Sequence, residues 1–228
     1  MVSGKLFFGW QGATSIAPTA IPPLYRPPIV GSKRRRDLEY SMTSPIRCRG
    51  RGAVTGVLDD WCGRLPGAHH SLSLTGGEPL LHAEALADWA PYLAERLPLF
   101  LETNGTLPEA LSLLLPDLSW ISMDIKLASV SGVATPWSEH RAFLELSGKK
   151  CCQVKVVVAS TTPPSELVAV AELVHEVASQ VPLILQPLTL NRGLGILPQQ
   201  LLSLELAARR VHNRVKVIPQ MHPLLGVL

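Results

Sequence analysis

Three observations predict an α/β fold with a parallel sheet and crossover helices. From about Val54 onward, short apolar runs alternate with segments of helical periodicity; each run of strand length is followed by one of helix length; and polar residues collect just after the strands. The series opens with a strand over 70–74. A helix over 83–96 follows, with Leu86, Trp89 and Leu93 at helical spacing. The pattern continues as strand 99–102, helix 108–115, strand 120–124, helix 139–148, strand 152–158, helix 165–180, strand 183–186, helix 199–211 and strand 215–218. Such alternation fits either an open doubly wound sheet or part of a barrel.

The first fifty or so residues have a different grammar. Prolines at 18, 22, 23, 27 and 28 remove backbone donors and fix φ, which disfavours both helix and central strand. Arg and Gly then dominate up to Gly52 with no periodicity, so residues 1–53 are expected to be irregular and residues 54–228 to form the domain. A chain of 228 residues suits one sizeable core. Its 46% hydrophobic and 17% charged composition argues against wholesale disorder.

The net charge of +3 is too small to imply a nucleic-acid partner, and the basic run from Lys33 to Arg36 reads as solvated surface. No apolar stretch reaches the roughly 20 residues of a membrane span. No charged start leads into an apolar secretory segment, so a cytoplasmic location is expected. The four cysteines (Cys48, Cys62, Cys151 and Cys152) make neither a disulfide framework nor a C-x-x-C pair. His69, His70, His140, His175 and His212 lack metal-ligand spacing and are expected to be structural or exposed.

In folds of this class, residues after the carboxyl ends of successive strands converge on one mouth, and ligands bind there. The strand ends here read Thr75-Gly76-Gly77-Glu78-Pro79, Glu102-Thr103-Asn104-Gly105-Thr106, Asp124-Ile125-Lys126, Ala159-Ser160, Gln186-Pro187 and Pro219-Gln220-Met221-His222. Singly, each is more often a turn or a surface ion pair than a site. Six of them after successive strands form a pattern. Gly76 and Gly77 let the backbone approach a ligand closely, with carbonyls able to accept from an ammonium, and Glu78 adds negative charge. Lys126 supplies a cation for a carboxylate. The set suits an amino-acid moiety.

Thr-Gly-Gly-Glu-Pro-Leu followed by Glu-Thr-Asn-Gly-Thr and Met-Asp-Ile-Lys resembles the radical S-adenosylmethionine (SAM) superfamily. The tail, with Leu185-Gln186-Pro187 and Pro219-Gln220-Met221-His222, is similar to the 7-carboxy-7-deazaguanine synthase branch, although Pro223 stands where a Lys is usual. The resemblance implies a partial (β/α)6 barrel holding SAM at its open mouth. Gly76, Gly77, Glu78, Pro79, Thr103, Asn104, Ser122, Asp124, Lys126, Ser160 and Gln186 would bind SAM, and Thr75, Gln220 and His222 would contact a pterin substrate. No residue is assigned a catalytic role. The implied reaction reduces SAM to methionine and a 5′-deoxyadenosyl radical. That radical takes hydrogen from 6-carboxy-5,6,7,8-tetrahydropterin, and ring contraction with loss of ammonia gives 7-carboxy-7-deazaguanine, a queuosine precursor. The resemblance further implies a 4Fe–4S cluster, Mg2+, a reductant such as flavodoxin or ferredoxin, and a homodimer. A glycyl-radical-enzyme activase shares the Gly-Gly-Glu-Pro and Asp-x-Lys motifs, and a cluster-free barrel acting as a binding protein is the reading from another class.

One requirement of that chemistry is missing. The cluster needs three thiolates, which the family supplies from an early C-x-x-x-C-x-x-C loop, and no such spacing exists in this chain. The family's Cys-Asp-Thr, whose Thr binds Mg2+, is also absent, so no metal ligand is assigned and this chain is expected to be inactive. Joining each codon's third base to the next codon's first two from Trp10 onward permits Ala-Gly-Cys-Asn-Leu-x-Cys-x-Tyr-Cys-Asp-Thr. Residues 1–53 are therefore expected to be a frame-shifted segment.

Overall fold

The computed structural model describes residues 6–7, 51–190 and 193–221. Along the chain the strands are β1 (Leu6–Phe7), β2 (Leu72–Gly76), β3 (Leu99–Thr103), β4 (Leu118–Ile125), β5 (Cys152–Val158), β6 (Leu183–Pro187), β7 (Thr189–Leu190), β8 (Gly193–Leu194) and β9 (Val215–Val217). The main sheet runs β1-β2-β3-β4-β5-β6-β9, and β7 with β8 makes a separate antiparallel hairpin. Within the main sheet every pairing from β2 to β9 is parallel, whereas β1 joins the outer edge of β2 antiparallel.

The helices are α1 (Arg51–Arg64), α2 (Ala83–Ala94), α3 (Pro108–Leu114), the single turn α4 (Ala128–Ser131), α5 (Trp137–Ser147), α6 (Pro164–Ala178) and α7 (Pro198–Arg209). A short 3-10 turn, Pro79–His82, precedes α2. Proline opens α3, α6 and α7, where its fixed φ suits a helix start and its missing N–H would have had no partner.

The strand order decides between the two architectures left open by the alternation. A doubly wound sheet reverses its strand order at one point; here each parallel strand lies beside its predecessor. Right-handed crossovers in one direction put every helix on the same face. Accordingly α2 packs on α3, α3 on α5, α5 on α6 and α6 on α7, each helix against the next. This is the wall of a partial barrel, α/β with its helices outside.

Strand alternation then sorts the side chains. Leu72, Leu74, Leu99, Leu101, Ile121, Met123, Ile125, Val154, Val156, Val158, Leu183, Leu185 and Val215 join the core with Leu86, Leu93, Leu111, Leu114, Phe143, Leu167, Val170 and Val174 from the helices. The opposite, inner face carries Ser73, Thr75, Glu102, Ser122, Asp124, Gln153, Lys155, Gln186 and Lys216. Ladder register sets these in rungs: Glu102, Ser122 and Gln153 on one, Asp124, Lys155, Ile184 and Lys216 on the next.

Helix α1 is not among the sequence expectations, and it starts at Arg51, ahead of the boundary drawn at 54. Glycines at 52, 56 and 63 weaken its propensity and its pattern. Val54 and Leu58 nonetheless bury one turn apart, with Trp61 packed beside them. The bidentate pair of Arg96 with Asp59, at 2.7 and 3.2 Å, ties this helix to the turn after α2. Strand β2 begins two residues later than the periodicity predicts, because its ladder opens only where Leu72 N–H donates to Pro98 O and Leu72 meets Leu99. Among the described residues no helix is long and apolar enough to cross a membrane.

Candidate functional site

The tips of β2, β3 and β4 lie side by side at the carboxyl end of the sheet, as parallel pairing demands. Gly76 sits at φ 140°, a conformation open to glycine and strained for L side chains, and it turns the chain out of β2. Among the described residues a Cβ added at Gly77 would meet nothing within 4 Å, so they leave this backbone open to approach.

Glu78 is the keystone of the first two tips. Its Oε1 accepts from Thr103 Oγ1 at 2.8 Å and from Leu80 N–H at 3.1 Å, while Oε2 accepts from Asn104 N–H at 2.8 Å. Three donors on one carboxylate make it a clamp between β2 and β3, a fuller structural role than the charge complement expected from the sequence. Asn104 in turn folds its own loop, its Oδ1 accepting from Thr106 N–H at 3.0 Å and Thr106 Oγ1 at 2.6 Å. Thr103 Oγ1 accepts from Gly105 N–H at 3.2 Å. Gly105 itself takes φ 67°, and a Cβ there would lie 2.6 Å from Met123 Cγ. Its carbonyl accepts from Nδ1 of the fully buried His140, on α5, at 3.1 Å. Burial pushes the His140 imidazole below its ordinary range.

On β4, Ser122 is buried and its hydroxyl accepts from Gln153 Nε2 at 3.1 Å. Asp124 Oδ2 pairs directly with Lys126 and lies 3.7 Å from Lys155 Nζ, while its Oδ1 is buried without a hydrogen-bond partner among the described residues. Thr75 Oγ1 donates to Glu102 Oε2 at 3.4 Å. Pro79 is buried at the start of the 3-10 turn.

The remaining expected positions sit further around the rim. Ser160 is exposed just after β5, its N–H donating to Gly195 O at 2.8 Å, beside a cavity of about 290 Å3 lined by Ala159, Ser160, Thr162, Gln199 and Leu204. A second cavity of about 220 Å3 opens against Lys126, Leu127, Val130 and Val157. Gln186 stands half-buried on the inner face beside Val157. Gln220 is half-buried after β9, on a segment held to β6 by the bond from Ile218 N–H to Leu185 O at 3.0 Å. His222 falls outside the described residues. Thus Thr75, Gly76, Gly77, Glu78, Pro79, Thr103, Asn104, Ser122, Asp124 and Lys126 gather on three adjacent strands, with Ser160 and Gln186 on the next two.

Sequence reasoning passed over Lys155, Gln153 and Lys216. Their signal was present: polar residues alternate with valines through β5, and in a sheet whose other face is buried these can only point inward.

The site's fit to cofactors divides sharply. Among the described residues, an adenosylated amino acid finds open glycine backbone, a cation at Lys126 and an unpartnered carboxylate oxygen on Asp124. A 4Fe–4S cluster finds nothing comparable. Among the described residues no group of three Cys, His, Asp or Glu side chains is placed to hold a metal ion, and Cys62, Cys151 and Cys152 are partly buried, exposed and buried respectively. Burial pushes the Cys152 thiol up to about 11, the reverse of what a thiolate ligand needs.

No family model matches the chain. Among curated proteins it is similar to the 7-carboxy-7-deazaguanine synthase of Geobacter sulfurreducens, with 41% identity over 176 residues, 77% of this chain and 70% of that protein. It is 30% identical over 179 residues to the protein of the same name from Methanothermobacter thermautotrophicus, covering 69% of this chain and 70% of the relative. With the Thermococcus kodakarensis 7-carboxy-7-deazaguanine synthase it shares 31% identity over 168 residues, 70% of this chain and 64% of that one.

Proposed function

We propose that this chain, which belongs to the 7-carboxy-7-deazaguanine synthase family, binds SAM and a carboxylated tetrahydropterin at the tips of β2 to β6 as a radical SAM lyase does. The observation that carries the reading is the Glu78 clamp. It fixes Gly76 and Gly77 beside Thr103 and Asn104, one strand from Asp124 and Lys126. Carbonyls at the glycines accept from the SAM ammonium, and lysine at the β4 tip offsets its carboxylate. Thr75 and Gln220 face the pterin, and Ser160 and Gln186 border the adenosine. When bound and reduced, SAM supplies the radical that takes hydrogen from 6-carboxy-5,6,7,8-tetrahydropterin on the way to 7-carboxy-7-deazaguanine, for queuosine biosynthesis.

The thiolates that would hold a cluster are missing, so no step runs through one. This chain is then a cofactor-binding barrel without turnover, and residues 1–53 are the product of a frame shift in a gene for a complete enzyme. Magnesium, a flavodoxin or ferredoxin as electron donor, a homodimeric state and a cytoplasmic site complete the proposal on family grounds alone. The glycyl-radical-enzyme activase reading has no support among the three relatives.

Two measurements test this. Equilibrium binding of SAM to the full chain, with loss in the Thr103→Val and Glu78→Gln variants, is the expected result for the site; no binding overturns it. Anaerobic reconstitution with iron and sulfide is expected to leave this chain colourless and without 5′-deoxyadenosine, whereas the frame-restored chain turns brown and forms 7-carboxy-7-deazaguanine. Bases in the codons of Gly12, Ile16 and Thr19 that do not end in T would exclude the shifted cysteines.

A further inference from the structure

Two lysines flank one carboxylate on the inner face of the sheet. Lys126 pairs with Asp124 Oδ2 at hydrogen-bonding distance; Lys155, level with Asp124 on the next strand, stops at 3.7 Å from the same oxygen. Among the described residues the Lys155 ammonium donates no hydrogen bond. Its side chain is 27% exposed against 54% for Lys126, so it is the less hydrated of the two. Its counter-ion Asp124 is 3.7 Å away and already hydrogen-bonded to Lys126, so a partly desolvated Lys155 cation gains when a further anion joins it. Beside it, Asp124 Oδ1 is buried and lacks a donor among the described residues, its side chain being 15% exposed. Unused donors and an unused acceptor thus sit within one ion cluster.

The geometry points to Lys155 as the carboxylate-binding residue of this mouth, with Asp124 Oδ1 accepting from an N–H adjacent to that carboxylate. The inference deepens the proposed function and rests on it. Both ligands of that reading carry the required pair: the methionine end of SAM sets an ammonium beside its carboxylate, and 6-carboxytetrahydropterin sets the ring N5–H next to the carbon bearing its carboxylate. The shared chemistry is a carboxylate with a neighbouring N–H donor. Lys126, already bonded to Asp124 and more exposed, offsets the ligand's charge as the weaker of the two lysines while it holds Asp124 in place.

Calorimetric titration of the full chain distinguishes the sources. The ligands, kept under anaerobic conditions, are S-adenosylhomocysteine against its decarboxylated analogue, and 6-carboxy-5,6,7,8-tetrahydropterin against the tetrahydropterin without the carboxylate. Lys155→Met is expected to weaken one acid by about tenfold or more, the usual worth of a hydrogen bond to a charged group, while changing its carboxylate-free counterpart less than about twofold. Lys155→Arg is expected to recover most of the loss, and Lys126→Met to have the smaller effect. The acid that weakens identifies the source. Equal weakening within both pairs, no weakening in either, or a selective loss in Lys126→Met alone overturns the assignment of Lys155. Failure of the unaltered chain to bind either adenosyl ligand or either pterin is a different result: it overturns the proposed site itself.

Discussion

Thr103 Oγ1 donates to Glu78 Oε1 at 2.8 Å, joining the tip of β3 to the tip of β2 through side chains where the backbone ladder has already ended. Glu78→Gln keeps the size of the group but sets an amide NH2 against either Thr103 or the Asn104 N–H. A loss of about 1–3 kcal/mol in unfolding free energy is expected, read from urea denaturation. Thr103→Val removes one donor and should cost about 1 kcal/mol. In the double variant the two effects should fall short of their sum, since both act on one network.

Gly105→Ala tests the loop behind the clamp. The residue sits at φ 67°, and its new methyl would press on the fully buried Met123. Left-handed backbone alone costs about 1–2 kcal/mol for an L residue, so the variant should lose at least that much by chemical denaturation. An unchanged midpoint would mean that Met123 moves aside freely.

Stability should fall with acid below the unfolded histidine range. His140 and His212 are both fully buried, and burial lowers the pKa of each from the usual 6.5. A base whose folded pKa is depressed binds protons more readily when unfolded. Its contribution is therefore complete above about pH 6.5 and is lost as pH drops toward the folded value, by at most about 1.4 kcal/mol per pH unit for each such group. Urea midpoints between pH 7.5 and pH 5.5 should show the decline, and His140→Gln should make it shallower.

The adjacent cysteines should differ in reactivity. Cys151 is exposed, whereas Cys152 is buried with its thiol pushed up to about 11. Mass spectrometry after brief iodoacetamide treatment of the native chain should find Cys151 labelled and Cys152 intact. Unfolding in urea should expose both. Early modification of Cys152 would place its strand at a more open edge than the ladder with Ile121 indicates.

The fold was legible wherever one face of an element is buried. Periodicity located β3, β5 and α2, α5 and α6 because their core positions recur at strand or helix spacing. It missed α1, whose glycines dilute a stripe of only Val54, Leu58 and Trp61. It also gave no hint of the hairpin β7–β8, whose two-residue strands are too short to show a period. At the site, the motif residues were found because they follow strands. Lys155 was not, since its meaning lies in register: only pairing with Asp124 across the ladder reveals it as a neighbour. The clamping role of Glu78 was equally hidden, because its partners lie more than twenty positions away in the chain.

The unreversed strand order has a bearing on how such a protein can change. Since every crossover returns on the outside, the residues proposed to meet ligand hang from strand ends or line the inner face, while those that determine folding lie between sheet and helices. Exchanges at the rim therefore leave the packed interior alone. A lineage could remodel what this mouth accepts through replacements at a few exposed positions, with Glu78 and Gly105 as exceptions because each also holds the framework together.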